Sequence, residues 1–385
     1  MADPARPMTA AARKPPTVQP FWLAALSASW QGFSEPSPLA FRSFCLSLIL
    51  TLGLCLWFFS PATLAGPMGR FLPRSAFDSE GFSTRAALRT GHLAPDRPSL
   101  ILVGTSTVAQ AIGAGTMLRD RINAGTGRER EVVNLATPLQ SPTDQFALLE
   151  TALASQTAES PLALVAVGFG VQRLRWTPEM TSEFFAKSRL GVASGWADEE
   201  ARLLGAPVPE RTGFYILDNR SFVLVNGSEA LIRLALQQSA RQDTEQFARG
   251  ISRETPQRHA VIGQEIRNGV DRQTVYLDQI ARLANRVATI PNTRMVLIEE
   301  ALSPSLIAEQ GLAGPRAALD EALRQRKDAG LPDFWPIMTE SSLSAADYFD
   351  ELHIQTGVPQ AQVQTALADH VIVMWQDLDG GSLGN

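Results

Sequence analysis

The sequence predicts an α/β protein with a mainly parallel sheet, helices on both of its faces, and one membrane-spanning helix ahead of it. Three observations carry this reading. First, the apolar runs Leu100–Val103, Leu162–Val167 and Arg294–Ile298 are short. Continuous apolar runs of this length suit strands buried on both faces. Second, segments of helical pattern alternate with those runs, the rhythm of strands joined by helical crossovers. Third, the stretch from Phe44 to Phe59 (FCLSLILTLGLCLWFF) holds no charged residue.

Residues 1–41 open with MADPARPMTAAARKPPTVQP, rich in Pro, Ala and Thr without a period, and read as a disordered tail. The span is placed at residues 42–60. With its flanking residues the uncharged stretch reaches the roughly 18 to 20 residues that a helix needs to cross a bilayer. Arg42 can snorkel at one end and Trp57 sits near the other interface, before Ser60-Pro61 ends the helix. A buried core helix and a signal peptide cleaved near Thr63-Leu64-Ala65 are the alternatives, and an uncleaved anchor is preferred. Basic residues flank the span on both sides, so charge counting leaves its orientation open. Residues 61–98 read as a stem rich in Pro, Gly and Arg.

From Ser99 the pattern changes. Leu100–Val103 is the first strand, with a helix from Thr107 to Ile122. Val132–Ala136 is a short second strand, stopped by Pro138. A helix follows over 142–156, with Ser141 as its cap and Pro142 at its first position. Leu162–Val167 is the third strand. Residues 172–292 read as a large insertion, containing a hairpin of Phe214–Leu217 and Phe222–Val225. Arg294–Ile298 returns as the fourth strand, helices follow over 315–327 and 361–376, and the domain runs from 99 to 378.

Composition narrows the function classes. The chain has 385 residues, 45% hydrophobic and 19% charged, which excludes a wholly disordered protein. Lys+Arg number 34 against 39 Asp+Glu, so no basic excess exists to neutralise a nucleic-acid backbone. Both cysteines, Cys45 and Cys55, belong to the apolar run. Nothing beyond it can form a disulfide or present a cysteine nucleophile. No metal-ligand spacing, phosphate-binding loop or GxSxG elbow is present, so no metal or cofactor is expected.

Ligands of open parallel sheets bind beyond the carboxyl ends of the strands. Strand one ends there in Gly104-Thr105-Ser106, strand two in Ala136-Thr137 and strand three in Gly168-Phe169-Gly170, while Asp350-Glu351-Leu352-His353 precedes the last helix. These residue types suit acyl transfer. A serine hydroxyl is a weak nucleophile that needs a base. His353 can take the Ser106 proton, and Asp350 can hold the other ring nitrogen. Each piece has a plainer reading as a helix cap or a surface turn. Glu299-Glu300 read as solvated or capping, with Glu299 as a candidate for the pocket lining, and Asp144 and Asp347 as capping or turn residues. His92, His259 and His370 receive no role.

The ordered blocks ILVGTS with Ser106, VVNLATP, LVAVGFG and DYFDELHI with Asp350 and His353 resemble the SGNH (GDSL-like) hydrolase superfamily. The resemblance covers roughly residues 99–378. It implies a three-layer α/β/α sandwich, a Ser-His-Asp triad, and hydrolysis or transfer of O-linked acyl groups. Two departures stand out. Thr105 replaces the acid usual beside the serine, and Gly170 stands where the third block normally supplies an oxyanion-binding Asn. Backbone N–H groups of Ser106 and of Ala136 or Thr137, or the side chain of Gln172, would then fill the gap.

The layout also resembles the membrane-anchored branch of that superfamily, which modifies exported polysaccharides. That resemblance implies a cytoplasmic tail, an inner-membrane anchor and a periplasmic domain. Its substrates would be a polysaccharide and an acyl donor, the latter passed on by a membrane-bound O-acyltransferase. An inactive scaffold in a polysaccharide synthesis or export complex is the alternative.

Overall fold

A computed structural model describes residues 38–58, 60, 63, 97–138, 140–176, 194–208, 215–218, 256–326 and 330–381, with isolated positions between 210 and 236. The expected tail up to residue 37, most of the stem and the second hairpin arm lie outside the described residues. The chain divides into two compact units, Met1–Phe58 and Phe59–Asn385.

In the first unit, helix α1 spans Pro38–Phe58, beginning four residues before the expected span. Its apolar side chains, among them Leu46, Ile49, Leu50 and Leu54, are exposed. Among the described residues, no helix is long and apolar enough to cross a membrane. The described side chains of α1 are Pro38, Leu39 and Phe41 to Trp57 and include Arg42, short of the ~20 apolar residues of a typical span.

The second unit is α/β. Its elements follow in order: β1 (Ser99–Val103), α2 (Ser106–Ile112), α3 (Thr116–Thr126), β2 (Glu131–Asn134), α4 (Pro142–Leu153) and β3 (Ala163–Phe169). A 3-10 turn, Val171–Arg175, leads on to α5 (Gly195–Leu203), α6 (Tyr215–Asp218), α7 (Pro256–Gly269) and α8 (Gln273–Ala288). The chain closes with β4 (Thr293–Glu299), α9 (Pro304–Glu309), α10 (Ala313–Arg326), β5 (Asp333–Trp335), α11 (Ile337–Glu340) and α12 (Val358–Gly381).

The five strands form one parallel sheet in the order β2-β1-β3-β4-β5. Alternate strand residues point to opposite faces and enter separate hydrophobic clusters. Ile101, Val103, Val165, Val167 and Leu297 join one cluster with α4, α8 and α10. Leu100, Leu102, Leu164, Ala166, Val296 and Ile298 join the other with α2, α3 and α12. That double burial is why Leu100–Val103 of β1 and the whole of β3 are apolar.

Several boundaries differ from the sequence reading. The single helix expected over 107–122 is two. Gly113 and Gly115 both have positive φ (57° and 71°), which breaks the helix and turns the chain. Ser141 does cap α4, and Asp144 completes a reciprocal capping box. Phe214–Leu217 was expected as a strand, but Tyr215–Asp218 is a helical turn. Asp218 there accepts hydrogen bonds from the backbone and hydroxyl of Thr212, at 2.7 and 2.8 Å. The C-terminal part of the expected insertion is core structure: Tyr276, Leu277, Ile280, Leu283 and Val287 of α8 are buried against the sheet. Strand β5 was not anticipated, because three residues following Pro332 carry too little pattern to read.

Candidate active site

The site lies at the carboxyl ends of the strands, where β1 parts the chain between β2 on one side and β3 on the other. Ser106 is the first residue of α2, directly after the Gly104-Thr105 exit from β1. An N–H at that helix position has no intrahelical acceptor. A Cβ on Gly104 would lie 2.6 Å from Val108 Cγ2, and one on Gly168 would lie 2.5 Å from the same atom. Both strands therefore leave the sheet through glycine, packed against the first turn of α2.

Asp350 and His353 occupy a tight loop between α11 and α12. Tyr348 and Ile354 form an antiparallel bridge at its base. The Phe349 N–H donates to the His353 carbonyl at 2.8 Å. Asp350 Oδ1 accepts from the backbone N–H groups of Leu352 (2.8 Å) and His353 (2.9 Å), a local turn that Asp makes readily. The Ser303 N–H holds the loop to the end of β4 by donating to the Glu351 carbonyl at 2.9 Å.

These elements bring the three expected side chains together. His353 Nε2 lies 2.8 Å from Ser106 Oγ. His353 Nδ1 lies 2.8 and 2.9 Å from the two carboxylate oxygens of Asp350. Asp350 is fully buried and His353 nearly so. Burial pushes the Asp350 carboxyl up. The hydrogen bond and charge of His353, the Leu352 N–H and the Arg258 guanidinium together outweigh it and hold the group below its ordinary value.

That lowering has a measurable sign. A carboxyl whose folded pKa is depressed adds stability above its unfolded pKa, near 3.8, and loses it as pH falls through the folded value. Glu299 and Glu351 act the other way, because burial raises both. Urea unfolding of wild type and Asp350→Asn at pH 7 and pH 3 is expected to show the wild-type advantage shrinking at pH 3. An unchanged gap would contradict it.

The expected oxyanion groups are placed differently. The Ala136 N–H donates to Asn134 Oδ1 at 3.1 Å, and the Thr137 N–H to the Gly104 carbonyl at 3.0 Å. Both are spent inside the protein because β2 ends at Asn134 and the chain folds back on β1. Gln172 Nε2 donates to Glu300 Oε2 at 3.1 Å, so its amide is turned to the interior. A Cβ on Gly170 would come within 2.5 Å of Gln172 Oε1, so the Gln172 side chain fills the space that a side chain at 170 would take. Among the described residues, the Ser106 N–H is the one expected donor for which no backbone acceptor outside its helix is found.

Sequence reasoning missed the support beneath Ser106. Glu300 is not solvated but buried, and it pairs with the equally buried Arg173 at 2.8 Å. Its carboxylate also accepts from the Thr105 N–H and hydroxyl, each at 2.9 Å. Arg173 donates further to the carbonyls of Gln140 (2.7 Å) and Gly168 (3.2 Å). Gln140 accepts from the Gly104 N–H at 2.7 Å and donates to the Leu135 carbonyl at 2.9 Å. One buried network thus ties the exits of β1, β2, β3 and β4 together. Thr105, in place of an acid beside the serine, is the residue through which that network holds the backbone of the turn. The available signal was an acid ending β4 and an arginine just after β3, both at carboxyl ends.

Glu299, the other half of the acid pair, is buried beside a cavity of about 120 Å³ at the ends of β3, β4 and β5. It accepts from the Thr339 N–H at 2.8 Å and pairs with Arg316. Gly170, Gln172 and Tyr348 also line that cavity, but none of Ser106, Asp350 and His353 does, so the cavity that Glu299 lines is not one formed by the three expected side chains. A larger open groove of about 1120 Å³ lies elsewhere, between β5 and α12, and none of Ser106, Asp350 or His353 lines it. His370 belongs to that groove, paired with Glu340 at 2.7 Å and stacked on Trp335. Asp144 and Asp347 both close capping boxes, as expected. Among the described residues no group of three or more His, Cys, Asp or Glu side chains converges as a metal site would require.

Neither a scan against protein-family models nor a search of curated proteins found a match to this chain.

Proposed function

We propose that this chain is a serine acyltransferase or esterase with an SGNH-like three-layer α/β/α domain. The proposed substrates are O-acyl groups, acetyl foremost, of an exported polysaccharide. The observation that carries the reading is the unbroken chain of hydrogen-bond contacts from Ser106 through His353 to Asp350. Its chemistry follows from the geometry. His353 Nε2 takes the Ser106 proton as Oγ bonds to the ester carbonyl carbon. Asp350 holds Nδ1–H and stabilises the imidazolium. The Ser106 N–H is positioned to receive the developing oxyanion. Collapse breaks the bond to the leaving oxygen, which takes the proton from His353 and leaves an acyl-Ser106. Water, or a sugar hydroxyl, then gives its proton to His353 and bonds to the acyl carbon; the acyl–Oγ bond breaks, and Ser106 Oγ takes that proton back from His353. Turnover of a chromogenic acetate ester by the purified protein, lost on Ser106→Ala, tests this reading.

A second reading draws on the oxyanion geometry. Gly170 supplies no side chain, and the Ala136, Thr137 and Gln172 donors point to internal acceptors. Losing one oxyanion donor costs on the order of 100- to 1000-fold in other systems. A catalytically weak scaffold in a polysaccharide synthesis or export complex would look the same. A covalent fluorophosphonate adduct on Ser106 would speak for the enzyme, and its absence for the scaffold.

Placement in the cell belongs to the same proposal. The uncharged run Phe44–Phe59 supports a single-pass inner-membrane anchor, and the family resemblance is the reason for placing the α/β domain in the periplasm. Alkaline phosphatase fused after Asn385 is expected to be active in whole cells. An inactive fusion of normal abundance would place the domain in the cytoplasm instead.

A further inference from the structure

The cavity beside Glu299 has a polar wall whose hydrogen-bonding capacity the fold does not use up. Gln172 lines it and is only 6% exposed. The orientation of its amide is fixed by chemistry. Nε2 donates to Glu300 Oε2 at 3.1 Å, and a carboxylate paired with Arg173 can only accept. Oε1 is turned the other way, toward Gly170, where it would meet a Cβ at 2.5 Å. Gly170 lines the same cavity. Oε1 has no hydrogen-bond partner among the described residues. Burying an acceptor without a donor is unfavourable. Of the buried side-chain atoms left in that state among the described residues, Gln172 Oε1 alone belongs to a residue lining this cavity or the groove between β5 and α12.

The rest of the wall is also rich in acceptors. Glu299 accepts from the Thr339 N–H at 2.8 Å and from the Thr339 hydroxyl, and it pairs with Arg316. Two carboxylate oxygens can accept more than this. Asp320 adds a second carboxylate, while Arg316, the cation of the lining, is already engaged by Glu299 and Thr339. Leu302, Leu319 and Phe334 supply apolar surface. Thr339 and Ser342 are exposed and form the mouth, whereas Gln172 and Glu299 are buried. Pockets of this kind, apolar with a few convergent polar groups, are the usual form of small-molecule sites.

We infer that this cavity binds adjacent hydroxyl groups of a small polyol or of one edge of a sugar ring, with Gln172 Oε1 and Glu299 as the acceptors. The lining selects that chemistry. A phosphate or carboxylate brings no donor at neutral pH and would face Glu299 and Asp320. An ammonium brings donors but sets a second cation beside Arg316. Hydroxyl groups donate to both acceptors without charge, and the C–H surface between them packs on Leu319 and Phe334. A volume of about 120 Å³ is well below that of drug-sized pockets, so only a few heavy atoms enter. The inference goes beyond the acyl-serine reading, because none of Ser106, His353 and Asp350 lines the cavity.

Met338 lines the cavity and gives a local readout. The test records ¹³C-methyl methionine NMR spectra of the full chain, with Met338→Leu assigning the signal, and needs no ester turnover. Glycerol and methyl glucoside are each titrated in. Controls are 1,3-propanediol, whose hydroxyls are not adjacent, and methylammonium. A shift of the Met338 methyl that saturates in the millimolar range is expected with glycerol, methyl glucoside or both, and with neither control. Saturation at lower glycerol than glucoside concentration identifies a free polyol as the ligand, and the reverse order identifies a sugar residue. No saturation by either below about 100 mM overturns the proposal, as does a control that saturates as readily. Gln172→Met and Glu299→Gln are each expected to weaken binding by roughly tenfold, with the thermal transition recorded alongside. A folded Gln172→Met variant that binds within about twofold of wild type also overturns it. The wild-type titrations decide the matter if neither variant folds.

Discussion

Ser106→Ala is expected to remove ester turnover by roughly four to six orders of magnitude while leaving the thermal transition in place. The hydroxyl is the only atom lost, and its single described side-chain partner is His353 Nε2. Residual rate would come from substrate binding and the Ser106 N–H alone. Because His353 and Asp350 act with the serine as a unit, His353→Ala is expected to fall to a similar floor, and Ser106→Ala/His353→Ala little further. Steady-state kinetics on a chromogenic acetate ester checks each value. A Ser106→Ala rate within tenfold of wild type would remove the acyl-serine mechanism, and losses that multiply would show the residues acting separately.

Breaking the Arg173–Glu300 pair is expected to give the largest loss of stability in the domain. Removing one partner of a buried ion pair leaves an uncompensated charge and typically costs about 3–5 kcal/mol. Glu300 also holds the Thr105 N–H and hydroxyl and the Gln172 amide, so Glu300→Ala strands several donors at once. At roughly 2–4 °C per kcal/mol, the midpoint should fall by about 6–20 °C. Arg173→Met is expected to cost a comparable amount. Arg173→Met/Glu300→Leu should cost clearly less than the two singles combined, because neither residue is then left charged and alone. Calorimetry on the three variants measures this. Additive losses would mean that the two side chains contribute independently. Activity should fall with Glu300→Ala beyond the loss of folded protein, since the network holds the turn that carries Ser106.

The sheet was readable in the sequence where strands are buried on both faces. Leu100–Val103 and Leu162–Val167 announce themselves because both sides of each must be apolar. Strand β5 does not, since Asp333 sits on an open edge and only three residues pair. Ser106, Asp350 and His353 were legible from position: a serine at a strand exit, and an acid and base three residues apart before the last helix. The oxyanion donors were not. Whether the Ala136 or Thr137 N–H is free depends on the carbonyl or amide that folds back on it, and Asn134 and Gly104 settle that only in three dimensions. Glu300 was misread for the same reason. Two adjacent acids look solvated until the partner, Arg173, is known, and it lies 127 residues away in the chain.

The bond between His353 and Ser106 closes a separation of 247 residues. Long-range closures of this kind are entropically late events in folding, since they need the intervening chain to be ordered first. Here the closing segment lies only a few residues before α12, which packs its Val363, Leu367, Val371 and Trp375 against α2 and α3. A chain still emerging from the ribosome therefore carries Ser106 without its His353 partner. The contact between His353 and Ser106 forms only when the C-terminal helix has docked, so under the proposed acyl-serine chemistry acquisition of fluorophosphonate reactivity would serve as a clock for that step of folding.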